Sequence, residues 1–177
     1  MLQAGRRLFA HRDVDGVSVD EIVEAAAVAK GSFYNHFADK DAFAREIAAS
    51  ARREAEALVN EVNAVVSDPA VAVARALCVF VRFAMERRDS ARTLWRLNTG
   101  ATMVDAPINR GLVDVETGIL LVMGTIVITL RHLFEERIRT EPNEIAQRMG
   151  AGLLRSLGVS ASRAEKLARE ATLAVLA

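Results

Sequence analysis

Cysteine is nearly absent from this sequence. Its one thiol, Cys78, cannot close an internal disulfide, and no His or Cys stands near it at metal-ligand spacing. Neither a disulfide framework nor a thiolate metal centre is therefore expected. Proline and glycine are scarce, 3 and 10 among 177 residues, so long stretches run without a helix breaker. Charge of one sign is not in excess: Lys plus Arg and Asp plus Glu both number 23, and net charge supplies no bulk pull toward a polyanion. The longest largely apolar run, Ile119 to Leu130, has 12 residues, short of the ~20 that a membrane-spanning helix needs. The N-terminus carries no signal-peptide pattern. Nucleophile elbow, phosphate loop and HExxH are all missing, and the three histidines, His11, His36 and His132, are scattered. The expectation is a non-enzymatic, cytoplasmic protein with no membrane partner, no metal and no cofactor.

What is present points to helix. Hydrophobic residues make up 51% and charged residues 26%, and the long stretches are rich in Ala, Leu, Glu and Arg, all good helix formers. The class is all-α. Met1 to about His11 reads as a first helix with Leu2, Leu8 and Phe9 inward, ended by Asp13-Val-Asp-Gly16. Ser18-Val-Asp-Glu21 is a capping box, and Val19, Ile22, Val23 and Ala26 follow as one apolar stripe, so a second helix of eight or nine residues starts there. Ala27-Val28 connects it to a third short helix, Ala29 to Phe37. Asp39 caps a fourth, long helix whose apolar positions run Phe43, Ile47, Ala51, Ala55, Leu58, Val62 and Val65.

Asp68-Pro69 opens the next helix, with Asp as N-cap and Pro at the first helical position. It runs to about Arg88, with Val73, Leu77, Phe80, Val81 and Ala84 inward. Gly100, Pro107 and Gly111 break residues 90–111 into short pieces. A long helix is expected from Leu112 to Arg137, another from Pro142 to Leu157 with Gly158 as its stop, and a last one from a second capping box, Ser162-Arg-Ala-Glu165. A head over residues 1–46 and a body over 47–177, bridged by the long fourth helix, is the organisation this implies.

Two short helices with a tight joint, packed on a third, form the geometry that delivers a helix end to a DNA major groove. Residues 18–40 also resemble the TetR (tetracycline-repressor-like) family. Ser18, Val19, Ile22, Ala26, Val28, Gly31, Tyr34, His36, Phe37 and Lys40 fit that family's signature, and Phe43 stands for its final leucine. Two positions depart. Ala27 replaces the usual turn glycine, which relieves positive φ, and Ala29 replaces a serine or threonine whose hydroxyl could cap the helix or reach a phosphate. The resemblance would also put a basic arm ahead of the first helix. This chain opens on the helix itself, leaving either an upstream start or a head without arm contacts.

The residues allow the chemistry to be assigned one by one. Gly31 lets its helix approach DNA or a neighbouring helix closely. Tyr34 and His36 offer donors to phosphate oxygens, and Lys40 adds a cation at the start of the fourth helix, where amide N–H groups point outward. Lys30, Ser32 and Asn35 are the candidates for base edges, with Lys30 also able to reach only phosphate. Ser18 caps its helix and, by resemblance, touches the DNA backbone; Ala29 is carried to the DNA by the same resemblance. Phe33 and Phe37 belong to the core. Residues 1–53 hold eight basic and eight acidic side chains, so any DNA affinity must come from placement rather than from a basic domain.

The apolar helix through 119–130 cannot sit bare on a monomer. Ile119, Val122, Met123, Ile126 and Leu130, with Met149 and Leu153 of the next helix, are the candidate faces of a four-helix homodimer interface, an arrangement the resemblance also implies. The alternative is a central helix of a monomeric bundle. A dimer would place two weak heads on one palindromic operator of double-stranded DNA. The resemblance further implies a mostly apolar cavity for a small-molecule effector, with Phe80, Phe83, Trp95, Asn98, Thr99, Met103 and Met123 as lining. The function expected is a repressor released by that effector. A DNA-binding dimer without a small-molecule ligand, and a helical interaction protein that has lost DNA binding, are the competing readings.

Overall fold

The computed structural model describes residues 1–97, 114–134 and 140–177. Among the described residues it holds nine α-helices and no strand: α1 (Leu2–Phe9), α2 (Val19–Ala25), α3 (Lys30–Tyr34), α4 (Lys40–Asn63), α5 (Pro69–Glu86), α6 (Arg88–Arg96), α7 (Val115–Phe134), α8 (Pro142–Ser156) and α9 (Ala161–Leu176). A 3₁₀ turn, Val14–Gly16, separates α1 from α2. The chain folds as two compact units, one of residues 1–54 with 87–101 and one of 55–86 with 102–177.

The first unit is built on phenylalanine. Phe9, Val17, Ile22, Val23, Phe33, Phe43, Ala44 and Ile47 are buried together, with Leu2, Leu8, Val14, Val19, Phe37 and Leu97 packed around them. Phe43 of α4 is the hub: Phe33 meets it edge-on at 5.3 Å and Phe37 at 4.8 Å between ring centroids. Such pairs add about 0.5–1.5 kcal/mol beyond the area they bury. Gly5 lets α1 lie on α4, since a Cβ there would fall 2.4 Å from the Phe43 ring and 2.5 Å from Ile47 Cδ1. The N-terminus of α4 is capped as expected, Asp39 Oδ1 accepting from the Ala42 amide at 2.6 Å.

Helix α6 belongs to this unit, which periodicity alone does not reveal. Arg6 of α1 donates to Glu54 Oε2 (3.1 Å), Ser90 Oγ (2.8 Å) and Ser50 Oγ (3.0 Å). Ser90 donates to the same Glu54 oxygen, and Thr93 Oγ1 donates to the Arg6 carbonyl. Arg96 pairs with Asp13 at 2.6 Å. The buried hydroxyls of Ser90 and Thr93 are thus satisfied by α1 and α4, as burial of a polar group requires.

In the second unit α5 packs against α7, α8 and α9. Val73, Leu77, Phe80, Val81 and Ala84 are all buried. Asp68 Oδ1 accepts from the Ala70 amide at 2.9 Å, so the Asp-Pro start is formed as expected. Helix α8 ends in a Schellman turn: Gly158 takes φ +86°, its amide donates to the Arg155 carbonyl and the Val159 amide to that of Leu154.

Several expectations need correction. Val65 lies beyond the end of α4 and is 94% exposed. The last helix begins at Ala161 with Ser160 as N-cap and no side-chain cap bond, so Ser162 opens no capping box. The third helix is five residues, not nine, because the chain must turn into α4. Gly100, Pro107, Gly111 and the expected helix limits Leu112 and Arg137 lie outside the described residues. The run-length argument about a bilayer also fails: Glu116–Phe134 is 19 residues of mean hydropathy 1.7, enough by length and composition to cross a membrane, and only 28% of it is buried.

Helix α7 also revises the expected interface. Val122, Ile126 and Leu130, and Leu153 on α8, are buried within the protomer at 2–7% exposure. They have no surface left for a second copy, because a bundle helix must first cover its own inner face. Ile119, Met123 and Met149 are half-buried. The apolar side chains left outside are Leu120 (66% exposed) and Ile128 (53%). Gly124 lies between them at i+4, with nothing within 4 Å of where its Cβ would be.

Candidate nucleic-acid interface

The joint between α2 and α3 fixes which side chains face out. Ser18 Oγ accepts from the Glu21 amide at 3.1 Å and the Ser18 amide donates to Glu21 Oε2 at 2.8 Å, the reciprocal capping box read from the sequence. The Ser18 hydroxyl also donates to Glu21 Oε2 at 2.9 Å. Its proton is therefore committed, and a phosphate contact from Ser18 requires that bond to break. Arg12 pairs with Glu21 at 2.5 Å and donates to the Gly16 carbonyl. With the Arg12 hydrogen bond as the largest cause and the Ser18 amide and hydroxyl next, the Glu21 carboxyl is held at about 2 against its ordinary 4.5.

Helix α2 stops at Ala26, and Ala27 takes φ +52°. The Val28 amide donates back to the Val23 carbonyl and the Ala27 amide to that of Glu24, each at 3.0 Å. This is the same two-bond stop that Gly158 makes, here with an alanine in the left-handed position. The missing glycine therefore leaves the turn in place and strains it.

From that turn α3 leaves with Phe33 at 0% exposure as its anchor. The anchor sets the outward face. Ala29, Lys30, Gly31, Tyr34, Asn35 and His36 are exposed, Ser32 and Lys40 are partly so, and Phe37 is half-buried against Phe43. Tyr34 is 53% exposed, and its ring stands edge-on to Phe33 at 5.3 Å. That contact aims a phenol outward from an apolar root. Nothing lies within 4 Å of a Cβ built on Gly31, so its bareness serves no neighbouring helix. Among the described residues no hydrogen bond or ion pair engages the polar groups of Tyr34, Asn35, His36 or Lys40. Lys30 differs, being paired with Asp20 at 2.7 Å. The eight sequence-chosen residues thus run from the N-cap of α2 through α3 to the first residue of α4. The pairing of Lys30 with Asp20 was not visible in the sequence, where ten residues separate the two.

The expected pocket residues divide between the two units. Phe80 and Phe83 are buried in α5 and Met123 is half-buried in α7, all in the second. Trp95, half-buried on α6, falls in the first. Asn98, Thr99 and Met103 lie outside the described residues. Cys78 is buried on α5, and burial pushes its thiol pKa up, against a weaker effect of Thr172. It is a packing residue, not a nucleophile. No cluster of metal-binding side chains occurs among the described residues.

Comparison with known proteins follows this geometry. Residues 1–47 match the model of the bacterial regulatory proteins, tetR family. Over 47 residues, 27% of the chain, the sequence is 43% identical to the HTH-type transcriptional repressor DhaR of Mycobacterium sp. (strain GP1), a stretch that spans only 24% of that relative. In fold the likeness is wider. RolR without ligand superposes with a TM-score of 0.60 at 24% identity, covering 94% of each chain. RolR in complex with resorcinol gives 0.61 at 23% identity, over 94% of this chain and 90% of that one. A gamma-butyrolactone receptor (ArpA-like protein) gives 0.62 at 21%, over 97% and 94%. Residues 1–47, with their capped α2, left-handed turn and outward-facing α3, are thus similar to the corresponding segment of the tetR family of bacterial regulatory proteins.

Proposed function

We propose that the protein is a DNA-binding transcriptional repressor that acts as a homodimer on a palindromic operator and is released by a small-molecule effector. Residues 1–46 are its reading head and 47–177 carry dimerisation and ligand binding. One observation carries the reading: α3 is anchored inward by Phe33 while Tyr34, Asn35, His36 and Lys40 face solvent with their polar groups unengaged beside a bare Gly31. Hydroxyl, imidazole and ammonium donors are what phosphate positioning needs, and a glycine allows the close approach that base-edge contact demands. The match to a curated repressor over the same residues supports it.

The dimer rests on α7. A ridge of Leu120, Gly124 and Ile128 faces outward on an apolar helix, and such a face calls for cover. A second copy brings the identical ridge across a two-fold axis, with Gly124 letting the two helices come close. The effector reading leans on two neighbours in fold, one solved with resorcinol and one described as a gamma-butyrolactone receptor. A compact, mostly apolar molecule with a few oxygen acceptors or donors is the class that fits. A ligand-blind regulator is the alternative, and titration with resorcinol and a gamma-butyrolactone separates it.

The test is a mobility-shift assay on duplexes from around the protein's own gene, comparing wild type with Tyr34→Ala plus Lys40→Ala. Wild-type binding that weakens steeply with salt and is lost in the double variant is expected. Equal binding by both would remove the head from the mechanism.

A further inference from the structure

Lys30 is the only cation on α3, and in the free protein it is already occupied. Its ammonium lies 2.7 Å from Asp20 Oδ1 and donates to Oδ2 at 3.0 Å. Both partners are well exposed, 55% for Lys30 and 70% for Asp20, so the pair sits on the open side of the head rather than in its core. Asp20 is in the first turn of α2 and Lys30 opens α3. The strained turn at Ala27 fixes the distance between those two helix starts. The neighbouring carboxylate, Glu21, holds Arg12 in the same manner. The first turn of α2 therefore ties down two of the eight basic side chains of residues 1–53, and one of them belongs to the helix proposed to enter the groove.

We infer that Asp20 sets the affinity threshold of the head, acting as an internal rival of DNA phosphate for Lys30. This rests on the DNA-binding reading above. A phosphate oxygen that takes the Lys30 ammonium must displace, or share it with, a carboxylate that contacts it through both oxygens. The Asp20 charge then remains beside the polyanion, where it repels. A duplex that offers phosphates alone gains little from that exchange. One that also offers base edges to Asn35 and Ser32 recovers the loss through those contacts. Asp20 thus works as a discrimination residue, suppressing general DNA binding by residues 1–53, whose basic and acidic side chains are equal in number.

The experiment measures fluorescence anisotropy of a labelled mixed-sequence duplex over a range of salt, with wild type, Asp20→Asn, Glu24→Gln and Lys30→Met, and with Asp20→Asn combined with Lys30→Met. Glu24→Gln removes the same charge from an exposed position of the same helix without releasing a cation. Asp20→Asn is expected to tighten binding at low salt by about two- to five-fold, the scale of an exposed ion pair. It should also steepen the log–log salt dependence by about 0.9, one phosphate contact. Lys30→Met should cancel the whole gain when it is placed in the Asp20→Asn background. Thermal midpoints of all variants, read alongside, should stay together. An equal gain from Glu24→Gln, or a gain in Asp20→Asn that survives loss of Lys30, overturns the rivalry while leaving DNA binding in place. Absence of binding by both wild type and Asp20→Asn sinks the DNA-binding reading itself, and the inference with it.

Discussion

Ala27→Gly is the substitution whose outcome the backbone fixes most directly. Ala27 holds φ +52°, where the Cβ of an L-residue crowds its own carbonyl at a cost of about 1–2 kcal/mol. Two hydrogen bonds of 3.0 Å, from the Val28 and Ala27 amides, keep it there, so the turn cannot relax without unwinding the end of α2. Glycine removes the crowding but frees the unfolded chain, which takes back about 0.4–1 kcal/mol. The net is a stabilisation of about 0.5–1 kcal/mol, with the thermal midpoint raised by about 1–4 °C for a chain of this size. Calorimetry on both proteins at equal concentration, with urea unfolding as a second measure, reads the change. Duplex affinity should stay within about two-fold, since the side chain removed is a single methyl group and the turn is retained. An unchanged or lowered midpoint would mean that the αL strain at Ala27 is not there, and the account of this joint would be wrong.

Further outcomes follow from single residues. Gly5→Ala and Gly31→Ala make the same change in two helices with opposite results. The first drives a methyl group into Phe43 and Ile47 and should cost about 1–2 kcal/mol after the gain in helix propensity. The second meets nothing, should stabilise by about 0.5–1 kcal/mol, and should lose about tenfold, ~1.4 kcal/mol, in duplex affinity; urea titration and anisotropy check the two together. Ile128→Glu should leave each protomer folded and turn the proposed dimer to monomer in sedimentation equilibrium, because a carboxylate buried against its own copy lacks a counter-charge. Glu21, depressed from 4.5 to about 2, stabilises the head fully above its unfolded value. That contribution fades as pH falls from about 4.5 toward 2, so Glu21→Gln should flatten the acid limb of the stability curve over that window alone. An acid limb of the same steepness in the variant would show that Glu21 carries none of it.

Local rules made the head legible. A serine three residues before a glutamate announces a capping box whatever the rest of the chain does, and α2 starts there. The alanine in a glycine position predicted a strained turn, and φ at Ala27 is positive. Phe33 and Phe37 were assigned inward because aromatics at helical spacing have only one place to go in so small a unit. The cap of α9 misled for a related reason. Two serines, Ser160 and Ser162, precede the apolar stripe, and the one with a glutamate three residues on looked better. The chain enters the helix at Ala161 instead, without a side-chain cap.

Where the sequence failed, the deciding contacts were long-range or the periodicity was degenerate. An almost wholly apolar helix such as α7 gives no moment from which to tell its inner face from its outer one. The pattern offers Val122, Ile126 and Leu130 as an outer face, whereas the residues left exposed are Leu120, Gly124 and Ile128, centred nearly half a turn away. Helix α6 presents the reverse problem. Its charges, Arg88, Asp89, Arg92 and Arg96, carry no pattern that ties it to residues 80 positions earlier. Yet Arg96 meets Asp13, Thr93 meets the Arg6 carbonyl, and Ser90 closes a network with Arg6 and Glu54. Hydrophobic periodicity reports which face of a helix is apolar, and these bonds are polar. The same blindness hid Asp20 and Lys30, two charges on different helices that a count of eight against eight treats as solvated. With basic and acidic side chains balanced over residues 1–53, the pairing of each cation decides what remains for a polyanion, and pairing is a property of the fold rather than of composition.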